Sequence, residues 1–231
     1  MDFTIDGPTA IPMWVNGHAF LTVTSDYFMV TDPKTGEGIR RIPLCGAEEA
    51  AEAAAAARTA QPAWADMGLM PRRVCLGKLA DGLDRYTGHF AKLLVQETGC
   101  DEAAGRAEVE ASVALLRDCA VGDTGSIGVV LDAVSPLLGF VQAAAPALLA
   151  GATLVVKPSP KAAGAVFALC ELTARSEWPG GVVNLLQGDS AALDGLCAAG
   201  LDRIVYRGQD ALGEQVAARA LAAGAVFVRQ A

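Results

Sequence analysis

The sequence predicts an α/β fold: a doubly wound, five-stranded parallel sheet preceded by a helical segment and a small antiparallel β element. Three observations carry this. From residue 126 onward the short apolar runs "SIGVVLDAV", "ATLVVK", "GVVNLLQG", "DRIVYRG" and "AVFV" alternate with four Ala-rich segments of helical length. Apolar strands joined by connections of that size pair in parallel through right-handed crossovers. Residues 133–156 carry no charge, yet Pro136, Gly139, Pro146 and Gly151 divide them into a strand end, a short helix and a new strand. That pattern fits a buried β-α-β unit rather than a membrane span. Finally, 231 residues, 52% of them hydrophobic, suffice for a sizeable core.

Taken in order, "MWVNGHAF" and "FMVTDPKTGEGIRRIPL" read as short strands with turns at Asn16-Gly17 and at Pro33 to Gly36. The segment "AEEAAEAAAAARTAQPAWADM" has acidic residues in its first turn and an alanine-dominated body, and is expected to be a helix that stops near Pro62. Two further helices are expected from about Pro71 to Arg85 and from about His89 to Thr98. A fourth falls in "DEAAGRAEVEASVALLRDCA", where Val109, Val113 and Leu116 make an apolar stripe. The organisation expected is residues 1–125 packing, as β element and helices, on a nucleotide-type domain at 126–231, the whole forming one compact unit.

Composition excludes several classes of function. The formal net charge is −8 and no stretch gathers Lys and Arg, so nucleic acid finds no electrostatic footprint. Six widely spaced cysteines without a C-x-x-C pair, in a chain lacking a secretory start, read as buried free thiols of a cytoplasmic protein. Two histidines and no clustered ligands leave little material for a metal site. In a doubly wound sheet, ligands bind beyond the carboxyl ends of the strands. Here that means Ser135 and Pro136, Lys157 to Pro160, Gln187 and Gly188, Arg207 to Gln209, and Arg229.

The ordered series "DPKTGEGIRRIPLCGAEEAAEAAAAARTAQPAWADM", "LLVQETGC", "APALLAGATLVVKPSPKAA", "PGGVVNLLQGD" and "DRIVYRGQDALGEQVA" resembles the aldehyde dehydrogenase superfamily over about residues 13–228. The resemblance implies a Rossmann-like NAD(P)-binding domain with its helical N-terminal segment. It also implies cofactor contacts from Ser135, Lys157, Ser159, Gly188, Gly208 and Gln209, with NAD or NADP as the ligand. Lys157 matches the lysine that reaches the adenosine ribose in that family.

The departures weigh more than the match. Family members attack an aldehyde with a cysteine thiolate from a domain that follows this segment. Because the chain stops at residue 231, that domain is expected to be absent. The family's glutamate base lies in an L-E-L-G-G run, where "VFVRQA" places Arg229, and a guanidinium is no general base near neutral pH. Its oxyanion-binding asparagine lies in P-W-N-F-P, where "SPLLGF" places Leu138. Pro160 stands where a glutamate usually receives the ribose hydroxyls, and Gln209 replaces a serine. None of the six cysteines falls in the strand-end loops. The family's oligomer-building hairpin is reduced to "VGDTG".

No catalytic residue is therefore assigned. The expectation is an aldehyde dehydrogenase-like protein, inactive alone, that serves as a binding, assembly or scaffold subunit. A homo-oligomer contact or partner protein would then cover the exposed sheet. The other reading is an NAD(P)-binding subunit of a split or multi-subunit oxidoreductase whose partner supplies the nucleophile.

Overall fold

A type I′ signature closes the first hairpin: Asn16 and Gly17, with φ of 52° and 82°, join β1 (Met13–Val15) to β2 (His18–Phe20). The structure, a computed structural model, describes residues 8–22, 24–208 and 211–230. A second hairpin, β3 (Tyr27–Thr31) with β4 (Gly38–Pro43), forms a separate two-stranded sheet, its turn lying at the expected place.

Four helices follow: α1 (Ala47–Asp66), α2 (Leu69–Arg85), α3 (Thr87–Thr98) and α4 (Glu102–Arg117). Asp101 caps α4 by accepting from the Ala104 N–H at 2.7 Å, and Gly99 ends α3 at φ 75°. The expected stop at Pro62 is not found, because α1 continues to Asp66. The turn beyond the proline is held by tertiary contacts. Trp64 is buried, stacks on Trp178 at 5.2 Å and donates its indole N–H to the Leu148 carbonyl at 3.0 Å.

The second half alternates as the apolar runs require: β5 (Ser126–Leu131), α5 (Pro136–Ala150), β6 (Thr153–Lys157), α6 (Gly164–Arg175), β7 (Val183–Leu185), α7 (Ser190–Ala198), β8 (Arg203–Arg207), α8 (Leu212–Ala222) and β9 (Val226–Gln230). Pro146 does not divide the first crossover; α5 runs through it to a left-handed Gly151. The five strands pair in parallel in the order β7-β6-β5-β8-β9. The β1–β2 hairpin adds to this core antiparallel to β7, so the sheet has seven strands. Asn184 braces that junction, its side-chain oxygen accepting the Asn16 N–H at 3.0 Å.

Helices α1, α7 and α8 cover one face of the sheet; α5 and α6 cover the other, with α2, α3 and α4 layered outside them. Buried Arg72 ties these layers by donating to the carbonyls of Leu149, Trp64 and Ala65 at 2.9, 3.1 and 2.6 Å, in the last turns of α5 and α1. Arg72→Met should therefore destabilise the fold by about 3 kcal/mol, read as a shift of the urea midpoint at unchanged slope.

Candidate nucleotide site at the strand ends

The chain reverses direction across the sheet between β5 and β8, since β6 and β7 lie to one side and β8 and β9 to the other. A crevice is expected at such a point, and a cavity of about 170 Å³ lies there, lined by Asp132, Ser135, Leu138, Gln142, Arg207 and Gly208 among others. Ser135 and Gly208 are thus brought to one place. Asp132, 7% exposed, accepts the Val134 N–H at 3.0 Å. Arg207 donates through Nε and a terminal nitrogen to the Gln142 side-chain oxygen. The room beside the Gly208 Cα is filled from within: a Cβ there would stand 2.5 Å from the Tyr206 hydroxyl and 2.6 Å from an Asp132 oxygen. Gly208→Ala should cost about 2 kcal/mol in chemical denaturation.

The N-terminus of α5 opens onto the same cavity. Its Leu137 and Leu138 N–H groups both donate to one Glu108 oxygen, at 2.9 and 3.1 Å. Burial pushes the Glu108 carboxyl up, and these two amides pull it partly back. With Leu138 apolar and its amide engaged, neither atom set is turned to a ligand oxygen.

The other expected contacts gather at the ends of β6 and β7. Lys157 is 6% exposed, and its ammonium makes one hydrogen bond, to the Pro158 carbonyl at 3.3 Å. Burial drives it down to about 8, opposed by the Asp189 carboxylate. Ser159 is half-buried beside it, and Pro160 follows with no side-chain acceptor to offer. Gly188, at φ 118°, has its open side occupied by Cys45 backbone atoms and by Ala192, so its conformation serves packing. Gln187 donates to the Pro12 carbonyl at 3.2 Å and keeps a buried side-chain oxygen without a partner. Gln209 lies outside the described residues.

Cys45 was not legible as a neighbour of this region, being distant in sequence. It packs against the Gln187–Gly188 turn, its sulfur 3.4 Å from that of Met13. Burial, reinforced by Glu49, pushes its thiol up to about 12 against the pull of the Gln187 N–H. Burial also raises Cys197 to about 11, and raises Cys75, Cys119 and Cys170. None of these five is an activated thiolate near neutral pH. Arg229 pairs with Glu214 at 3.0 Å and lies 5.8 Å over the Tyr206 ring.

A dinucleotide fits these residues at one end. Lys157 has three donors and uses one, so with Ser159 it suits the hydroxyl or phosphate oxygens of a ribose. At the β5–β8 end, the Asp132 carboxylate and the internally engaged Arg207 suit a pyrophosphate poorly. Among the described residues no group of three or more potential ligands forms a metal site, and no helix is long and apolar enough to cross a membrane.

A doubly wound sheet with its crevice at the strand reversal defines a domain of the class that holds dinucleotides. The chain belongs to the aldehyde dehydrogenase family, whose profile matches residues 20–123 and 124–228. It is 34% identical over 207 residues to N-succinylglutamate 5-semialdehyde dehydrogenase of Caulobacter sp. (strain K31), covering 79% of this chain and 42% of that protein. Its fold matches lactaldehyde dehydrogenase from Escherichia coli with a TM-score of 0.90 at 23% identity, over 97% of this chain and 52% of that one. It also matches a betaine aldehyde dehydrogenase from Staphylococcus aureus in complex with NAD+, at TM-score 0.87 and 20% identity, over 95% and 50% of the two chains. The chain thus spans about half the length of the proteins it matches.

Proposed function

We propose that this chain acts as a non-catalytic binding and assembly module of aldehyde dehydrogenase type, in which residues 126–231 form the nucleotide-type domain and residues 1–125 pack upon it. One observation carries the reading: at the N-terminus of α5, beside the β5–β8 crevice, the amides of Leu137 and Leu138 both donate to one Glu108 oxygen, where an oxyanion would need free donors. The raised thiols and the Arg229–Glu214 pair support it, since no nucleophile or carboxylate base faces the crevice from these positions. Edge strand β9, with Val226 61% exposed, is the side that a second copy or a partner would cover. Six unbridged cysteines favour work in the cytoplasm. Light scattering on the eluted protein should give a mass of at least twice 23.7 kDa; a monomer at tens of micromolar would count against self-assembly as the module's role.

A second reading rests on Lys157, whose unused donors favour retention of NAD or NADP by this chain within a split or multi-subunit oxidoreductase. A thermal-shift titration separates the two. Millimolar NAD or NADP that raises the midpoint, and fails to do so in Lys157→Met, supports cofactor retention. No shift with either leaves the assembly role alone.

A further inference from the structure

We propose that the groove where α2 and α3 meet α6, on the outer face of α6 and away from the strand ends, is a binding site for an aromatic carboxylate. Two cavities of about 290 and 360 Å³ meet there, sharing Tyr86, Leu172 and Arg175. The floor is apolar, made by buried Phe90 and by Leu172, and His89 stands edge-on to the Phe90 ring at 6.0 Å. Tyr86 is left 39% exposed as an aromatic wall. A flat ring is the shape that such walls accept.

Charge selects the ligand's sign. The Arg175 guanidinium lies 6.0 Å from the Tyr86 ring centre. Neither it nor Arg85, which lines the larger cavity, makes an ion pair among the described residues. Two of the carboxylates around them are engaged: Asp81 shares Arg117 with Asp84, at 3.1 and 3.0 Å, and Glu177 pairs with Lys78 at 2.8 Å. The second pair closes one end of the groove, and Glu177 holds a left-handed φ of 61° there. Glu171, one turn before Arg175 on α6, is the one lining carboxylate without an ion pair among the described residues. The formal charges of the lining balance, and Arg85 and Arg175 are its two guanidinium groups without an ion pair among the described residues, against the one such carboxylate of Glu171; these two are what an incoming carboxylate would meet. A guanidinium resting on an aromatic face can turn its fork to a carboxylate without losing that contact.

Calorimetric titration of the whole chain with benzoate tests this, with acetate and benzylamine as comparison ligands. Saturable binding of benzoate alone is expected. Arg175→Gln should weaken it about tenfold or more by removing a charge-assisted bidentate contact. Glu171→Gln should strengthen it severalfold by removing repulsion, and Lys157→Met should leave it unchanged. Both groove substitutions are on the surface of α6, and circular dichroism checks that they fold. Absence of saturable binding at millimolar benzoate, equal binding of acetate, insensitivity to Arg175→Gln, or loss in Lys157→Met overturns the assignment. Since Lys157→Met reports on the strand ends, failure here is distinct from failure of the nucleotide reading.

Discussion

Lys157→Met should stabilise the folded chain at pH 7 by about 3 kcal/mol, the free energy equivalent to holding a lysine near 8 instead of 10.5. The cause is burial at the end of β6 with a single long hydrogen bond as compensation. The sign follows from proton binding. Below pH 8 the ammonium is charged in both states, and the folded protein carries the full burial cost. Between about 8 and 10.5 the folded state releases its proton while the unfolded chain keeps it, so stability rises with pH in that window. The advantage of Lys157→Met should therefore be constant below pH 8 and vanish by about 10.5. Taking the difference between the two proteins cancels the opposing titration of the raised thiols. A substitution that stabilises this strongly marks a lysine kept for something other than folding, which fits the cofactor-retaining reading. An unchanged midpoint at pH 7 would mean that solvent reaches the ammonium.

Glu97 gives the second large effect, in a different window. It is 4% exposed, and both of its oxygens accept the Gly164 N–H, at 3.1 and 3.0 Å, capping α6 from α3. Burial raises it to about 7, opposed by Arg40 at 3.9 Å and by the amides of Gly164 and Ala165. The folded state then holds a proton that the unfolded chain loses above about 4.5. The resulting stability is fully present below 4.5 and is lost as pH rises through 7, about 3 kcal/mol in all. Glu97→Gln, which keeps an acceptor and never ionises, should match the native chain near pH 4 and exceed it at pH 8. Gly164→Ala attacks the same contact sterically, since a Cβ would collide with a Glu97 oxygen. It should cost about 3 kcal/mol at any pH. Urea titrations at pH 4 and 8 check both.

The five core strands and their parallel pairing were legible because parallel core strands are short, apolar and separated by helical crossovers, a pattern that β5 to β9 follow to within a few residues. Asn16-Gly17 likewise announced its hairpin. Its attachment to β7 was not legible, since it depends on Asn184, whose bond to Asn16 spans the sequence. The proline at 62 misled for a related reason. Local chemistry argued for a stop, and Trp64 packing against Leu148 and Trp178 overrode it. At the site, sequence placed Ser135, Lys157, Ser159, Gly188 and Gly208 together at the strand ends, whereas the structure sets Ser135 and Gly208 in the β5–β8 crevice and the others at the ends of β6 and β7. What it could not supply was who already occupies the donors. Glu108 comes from α4, Cys45 from the segment before α1, and neither carries a local signal of facing those loops.

The proposed non-catalytic role requires that the crevice at the sheet's reversal lack the groups that transform a carbonyl carbon. Incubating the purified chain alone with NAD or NADP and a panel of semialdehydes, while following absorbance of the reduced cofactor, tests this most directly. The expected trace is flat at every pH from 6 to 9. Sustained cofactor reduction that scales with protein concentration would contradict the claim.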